Sequence, residues 1–346
     1  MNTLQFTNKT IILASIGALA LGACGSSSED SAGSGGAKAK SLVPGCLSFA
    51  DLYALTSQEA EGVATWDAGQ KLATELGSTT KLPKADFTLF GPGEESGTFN
   101  SYVEIALQKI GVDERGLEKD AVTTRPDYSS NADDNATIEG VAGTKNSLGW
   151  VGFAFADQNQ DTLRLLKVSG GEGCVAPTKE TIADNTYPLS RPLYIYVNNK
   201  NAKENAAVAA FVDTYVSTEG EASVSEADYV NLPAEDWAAT QKSWNDLGIK
   251  ASSGAKGSVV VTGSSTVEPI SKIVAEKFSS ANPEAQIDVT GPGTGDGFKQ
   301  FCASGADITD ASRPIKPEEE ALCEAAGVTF TELKVGIDGI SIVTKK

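Results

Sequence analysis

Three times along this chain a strand-like stretch runs through a short turn of glycine and hydroxyl residues into apolar positions at helical spacing. Residues 85–91 (ADFTLFG) lead through Pro92-Gly93-Glu94-Glu95-Ser96-Gly97-Thr98 into Phe99, Tyr102, Val103, Ala106, Leu107 and Ile110. Residues 258–263 (SVVVTG) lead through Ser264-Ser265-Thr266 into Ile270, Ile273, Val274 and Phe278. Residues 286–291 (QIDVTG) lead through Pro292-Gly293-Thr294-Gly295-Asp296-Gly297 into Phe298, Phe301 and Cys302. Strand, turn and helix in alternation is the pattern of α/β domains.

The turns point to a ligand class. The first N–H groups of a helix lack internal partners and the helix dipole adds partial positive charge there, so each turn is a small anion receptor. Serine and threonine add hydroxyl donors, and glycine lets the backbone approach a ligand closely. Any one of these hydroxyls is also an ordinary helix cap; three turns of one kind argue for more. Neither a dinucleotide fingerprint nor a P-loop is present, which favours a compact oxyanion over a nucleotide.

Composition removes other classes. A net charge of −18 with only five arginines argues against adhesion to nucleic acid or an anionic membrane, so a bound anion must be held locally. The absence of histidine excludes His-based metal sites and Ser-His-Asp or Cys-His nucleophiles. No cofactor or metal is expected. The acidic cluster Asp133-Asp134 with Asn135 lacks the spacing of an EF-hand and reads as a capped turn before a helix. Trp66, Trp150, Trp237 and Trp244 read as core or interlobe packing.

The start of the chain follows export logic. Lys9 precedes an apolar run, residues 11–21, too short to span a bilayer, and Leu21-Gly22-Ala23-Cys24 closes it. The tetrad resembles a bacterial lipoprotein signal, which implies cleavage before Cys24, a lipid on its sulfur, and membrane attachment only through that anchor. Residues 25–41 form a polar, flexible tether. The remaining cysteines, Cys46, Cys174, Cys302 and Cys323, are even in number, as suits disulfides in an exported chain, with three connectivities possible.

Several separated blocks then become recognisable: GSSTVEPI, GPGTGDGFKQFCASGADITDASRPIKPEE, DGISIV, FGPGEESGTF and SRPLYIYVNNK. Together they resemble the phosphate-binding lipoproteins of bacterial high-affinity phosphate ABC transporters, a periplasmic-binding-protein-like family. The resemblance covers nearly everything after the tether, but in another order. The block at residues 258–346 comes first in the family and that at 41–250 second, so the chain resembles a circular permutant with residues 251–258 joining the family's original ends. The implied fold is an α/β, two-lobed, type II periplasmic-binding-protein-like one with a cleft between lobes. The lobes would be residues 42–188 and 189–346, with one covalent crossing near residues 187–192. Pairing Cys46 with Cys174 and Cys302 with Cys323 keeps each bridge inside one lobe.

The resemblance also implies a function and a site. The family binds inorganic phosphate by closing two lobes on it and delivers it to a membrane permease; a monomeric, exported, non-enzymatic receptor is expected. By motif, Ser265, Thr266 and the Val267 amide, Thr294, and Ser96, Gly97 and Thr98 contact the oxygens. Some relatives carry an arginine before the Ser-Gly-Thr, absent here, so the cation falls to Arg313, beside Ser312, with Arg125 in reserve. Asp338 is the implied acceptor for a phosphate proton, which sulfate lacks. A receptor for sulfate or molybdate, a permuted phosphate sensor outside transport, and an acid-catalysed phosphatase are the alternatives.

Overall fold

The computed structural model describes residues 41–94, 96–249 and 255–346. Cys24, residues 25–40 of the tether and residues 251–254 of the expected join lie outside them. Seven strands lie within the first 175 residues: β1 (Cys46–Ser48), β2 (Thr88–Pro92), β3 (Ser129–Asn131), β4 (Ser147–Gly152), β5 (Leu163–Leu165), β6 (Lys167–Ser169) and β7 (Cys174–Val175). Five follow: β8 (Ser190–Asn198), β9 (Gly257–Gly263), β10 (Ala285–Thr290), β11 (Ile308–Ala311) and β12 (Phe330–Lys345). A small sheet joins β1, β6 and β7, while the others form one sheet in the order β10-β9-β11-β8-β12-β4-β2-β3, with β5 also on β12. Among the described residues no helix is long and apolar enough to cross a membrane.

The long sheet belongs to two bodies. At one end β9 pairs in parallel with β10 and β11, and at the other β2 pairs in parallel with β3 and β4. Parallel strands with helices on both faces are buried on both, which is why residues 258–263 read as a β-branched run and every residue of β4 is buried. One core gathers Phe211, Val259, Val261, Val274 and Phe278; the other gathers Tyr53, Trp66, Tyr102 and Trp150. Trp150 stacks on Tyr102 with ring centroids 4.7 Å apart and lies so close to Gly91 that a Cβ there would overlap the indole. All four tryptophans are buried. The disulfides are Cys46–Cys174, with Cα atoms 6.0 Å apart, and Cys302–Cys323, at 4.3 Å, in the pairing favoured above.

Two adjacent strands join the bodies, and here the sequence-based division needs correcting. β12 pairs antiparallel with β8 from Phe330 to Gly339 and then, without a break, with β4 and β5 from Ile340 to Lys345. Its last residues therefore belong with residues 42–188, and the chain crosses twice, near residues 187–192 and near residues 336–340. The reason is that the Asp338-Gly339 pair, a turn signal in sequence, is held in one strand that stays buried from Val335 to Thr344 and carries through the boundary. Trp237 also packs into the core that contains Ile337 and Ile340, so it bridges the bodies. The join at residues 251–258 is shorter than expected as well: Ala255 is buried, and Gly257 and Ser258 already pair with Ala285 and Gln286.

Ser41 and Lys346 meet the same region. Arg164 on β5 donates to Ser41 Oγ at 3.1 Å and to the Val43 carbonyl at 2.8 Å, and the Lys346 N–H donates to the Thr162 carbonyl at 3.1 Å.

Candidate functional site

The β9 turn is built tightly enough that its shape leaves little choice. Gly263 has φ of 139° and its missing side chain would collide with the Asp310 backbone, so only glycine ends this strand. Ser264 N–H donates to the Asp310 carbonyl at 2.8 Å, and Ser264 Oγ accepts from Thr266 N–H at 3.2 Å. Thr266 and Val267 are buried, and the helix Glu268–Ala281 begins behind them. Beneath the turn, Ser271 Oγ donates to both oxygens of the buried Asp310 at 2.8 and 2.9 Å and meets the Tyr215 hydroxyl at 3.0 Å.

Burial pushes the Asp310 carboxyl up to about 8, partly opposed by the Ser271 hydrogen bond. An aspartate in the unfolded chain titrates near about 3.9. Between those values the native protein holds a proton that the unfolded chain has released, so this group makes stability fall as pH rises through the window. Asp310→Asn is expected to flatten that fall. Urea unfolding at pH 5 and pH 8 measures it, and an unchanged difference between wild type and variant would show that Asp310 is ionised in the native state.

The other two turns lean on the first. Gly293, with φ of 109°, donates its N–H to the Gly263 carbonyl at 2.7 Å, and Thr294 Oγ1 lies 3.2 Å from Ser312 Oγ while accepting the Ser312 N–H at 3.2 Å. From the opposite body, Ser96 caps the helix that starts at Gly97, accepting the Thr98 N–H at 3.2 Å. A Cβ on Gly97 would sit 3.5 Å from Thr266 Cα, 3.7 Å from the Ser265 carbonyl oxygen and 3.2 Å from the Tyr229 hydroxyl. Thus the Gly97 turn and the Thr266 turn face each other between the bodies, with the glycine permitting the approach.

At their meeting point stands an arginine that the sequence reading did not single out. Arg191 on β8 is the register partner of Asp338 on β12, exactly where both strands pass between the bodies. Its Nη2 donates to Ser101 Oγ at 2.6 Å and to Thr266 Oγ1 at 3.0 Å, its Nη1 pairs with Glu104, and its Nε lies 3.5 Å from Asp338 Oδ2. That last pair is an ion pair without a hydrogen bond: Arg191 Nε and Asp338 Oδ2 are both buried and lack a hydrogen-bond partner among the described residues. Burial pushes the Asp338 carboxyl above its usual range, against the pull of Arg191 and Ser101. For Glu104 burial also pushes upward, but Arg191 outweighs it and holds the carboxyl below its usual range.

The expected cations lie elsewhere. Arg313 gives both terminal nitrogens to Glu319, at 2.6 and 2.8 Å, and its guanidinium lies over the Phe298 ring; it borders the same cleft but does not reach the turns. Arg125 is buried against Asp127 and the Val63 carbonyl, beside a separate pocket. The cleft beside Arg191, Thr294 and Ser312 has a volume of about 780 Å³. Ser101 and Glu104 were also missed, although they follow Gly97 at helical intervals of four and three. Asp133 caps the helix Asp134–Gly143 by accepting the Asn135 N–H at 2.8 Å, and no cluster able to hold a metal occurs among the described residues.

Comparison with known proteins identifies the fold and the family. The chain is 32% identical over 197 residues to protein SphX of Synechocystis sp., covering 56% of this chain and 54% of that protein. It is 32% identical over 168 residues to the phosphate-binding protein PstS of Staphylococcus saprophyticus, covering 48% of each. The chain thus spans about half the length of the curated relatives it matches. The crystal structure of a phosphate-binding protein of a phosphate ABC transporter from Streptococcus pneumoniae superposes with a TM-score of 0.57 at 22% identity, over 75% of this chain and 89% of that one, and shows a shared fold. A family model described as the PBP superfamily domain matches residues 35–219 and 248–346. The chain belongs to the PBP superfamily, with the two-lobed α/β fold of periplasmic binding proteins.

Proposed function

We propose that this chain binds inorganic phosphate between its two bodies and serves as the substrate-binding component of a phosphate ABC importer. The observation that supports it most is the convergence of Arg191, the buried Asp338 carboxylate with an oxygen that accepts no hydrogen bond, and the Thr266 and Ser101 hydroxyls, one from each body. Phosphate at neutral pH keeps a proton and needs both donors and an acceptor; fully deprotonated sulfate would meet Asp338 as an uncompensated like charge. In this reading Arg191 replaces Arg313 as the principal cation. Thr266, with the Ser265 and Val267 backbone, Thr294, Ser312, Ser96, Gly97 and Thr98 supply the surrounding donors.

The same reading extends to the whole protein. Binding without turnover suits a chain with no histidine to serve as a general base. Export, a lipid on Cys24, a monomeric state and delivery to a membrane permease complete the assignment. A circular permutation of the family order is part of it, supported by the way the Ser41–Val43 segment and the tail of β12 are both bonded beside β5, through Arg164 and Thr162. Because β8 and β12 both still cross, a permuted chain keeps a two-strand hinge for closure.

Titration calorimetry of the oxidised chain lacking residues 1–24, first with phosphate and then with sulfate, tests the proposal. Micromolar or tighter phosphate binding, corresponding to about 8 kcal/mol or more, with sulfate at least about a hundredfold weaker is the expected result. Equal binding of both anions, or of neither by a folded chain, would sink it.

A further inference from the structure

Two carboxylates share one guanidinium here, and they differ in how firmly they are held. Asp338 is 2% exposed and fixed by strand pairing on β12. Glu104 is 37% exposed, borders the cleft, and has a second cation at hand, with Lys119 Nζ 3.7 Å from its other oxygen. It also lies in a π-helical segment, Val103–Leu107, that interrupts the helix running on from Gly97. Such a segment carries an extra residue in its turn and is a frequent companion of functional positions. Of the two acids, only Glu104 can leave Arg191 without disturbing a strand.

At the guanidinium itself two acids meet one cation, and Lys119 at the rim balances the second. An incoming oxyanion adds negative charge, and it needs the guanidinium edge that Nη1 now gives to Glu104. We propose that Glu104 is a displaceable internal anion: its carboxylate holds the ligand's place on Arg191, and phosphate drives it out toward Lys119. This rests on the phosphate reading above and adds a specificity device to it. A single carboxylate is displaced only by an anion that makes more hydrogen bonds than it does, which a tetrahedral oxyanion reaching hydroxyls on both bodies can. Lys119, 62% exposed at the rim, keeps the displaced carboxylate paired and so lowers the cost of moving it.

The test is titration with inorganic phosphate and sulfate of the wild type, Glu104→Gln, Glu104→Asp and Lys119→Met. Removing the competing charge is expected to tighten phosphate binding about tenfold in Glu104→Gln, the size of one charge-assisted hydrogen bond. Glu104→Asp, whose carboxylate is drawn back by one methylene, should tighten it in the same direction. Lys119→Met should weaken it roughly two- to threefold, within the range of an exposed ion pair. If the wild type binds phosphate and Glu104→Gln binds it equally or more weakly, Glu104 positions Arg191 or is idle, and the displacement proposal alone is overturned. If neither chain binds phosphate while circular dichroism reports an intact fold, the phosphate reading fails and takes this proposal with it.

Discussion

Arg191→Met is expected to weaken phosphate binding by at least about a hundredfold, because charge-assisted hydrogen bonds contribute roughly 1.5–3 kcal/mol each and, among the described residues, this guanidinium is the cation that bonds the Thr266 hydroxyl. Its loss leaves Asp338 facing the incoming anion with nothing to offset it, and Glu104 with Lys119 alone. Stability should fall too, by about 3–5 kcal/mol, the usual consequence of removing one partner of a buried pair. Asp338, already pushed up by burial, would then rise further and hold its proton across a wider pH range. Should the methionine variant fail to fold, Arg191→Lys keeps the charge but not the planar fork that serves Ser101, Thr266 and Glu104 together; an intermediate loss of about tenfold is expected there. Calorimetry reports the affinity and thermal unfolding the stability. Phosphate binding within threefold of wild type in a folded Arg191→Met chain would remove Arg191 from the site.

Why Arg191 escaped the sequence reading while Thr266 and Gly97 did not is a matter of range. The turns announce themselves locally: a β-branched run, then small hydroxyl residues, then a helical period, all within some twenty residues. Arg191 becomes a site residue only through the register of β8 on β12, which sets it opposite Asp338, and no local pattern encodes that pairing. Arg313 misled for the opposite reason. It stands beside Ser312, which does join Thr294, but Glu319 on the first turn of the helix Pro317–Ala325 takes both its nitrogens. The RPIKPEE spacing held that signal, since an acid in a helix's first turn is well placed for a cation just before it. The lobe division at residues 188 and 189 fails at the tail of β12, because that strand runs through both bodies and its last residues pair with β4 and β5.

Asp338→Asn separates ligand recognition from mere support of Arg191. An asparagine of nearly the same shape still offers a carbonyl oxygen, but without charge, and it brings an N–H₂ donor to a place where phosphate presents its hydroxyl. Phosphate affinity should fall about 10- to 100-fold, the cost of leaving a buried polar partner poorly matched. Sulfate should move the other way. It has no proton to give, so a neutral side chain removes its repulsion and frees more of the Arg191 charge for it; a several-fold gain, on the order of one screened charge interaction, is expected. The two anions are therefore predicted to converge in affinity from opposite directions. If Asp338 served only to hold Arg191 in place, the substitution would loosen the guanidinium for every ligand and both affinities would drop together. Competition of the two anions on the wild type and on Asp338→Asn, at one pH and ionic strength, distinguishes these outcomes. A parallel drop would leave the discrimination to Glu104, the other acid on the same guanidinium.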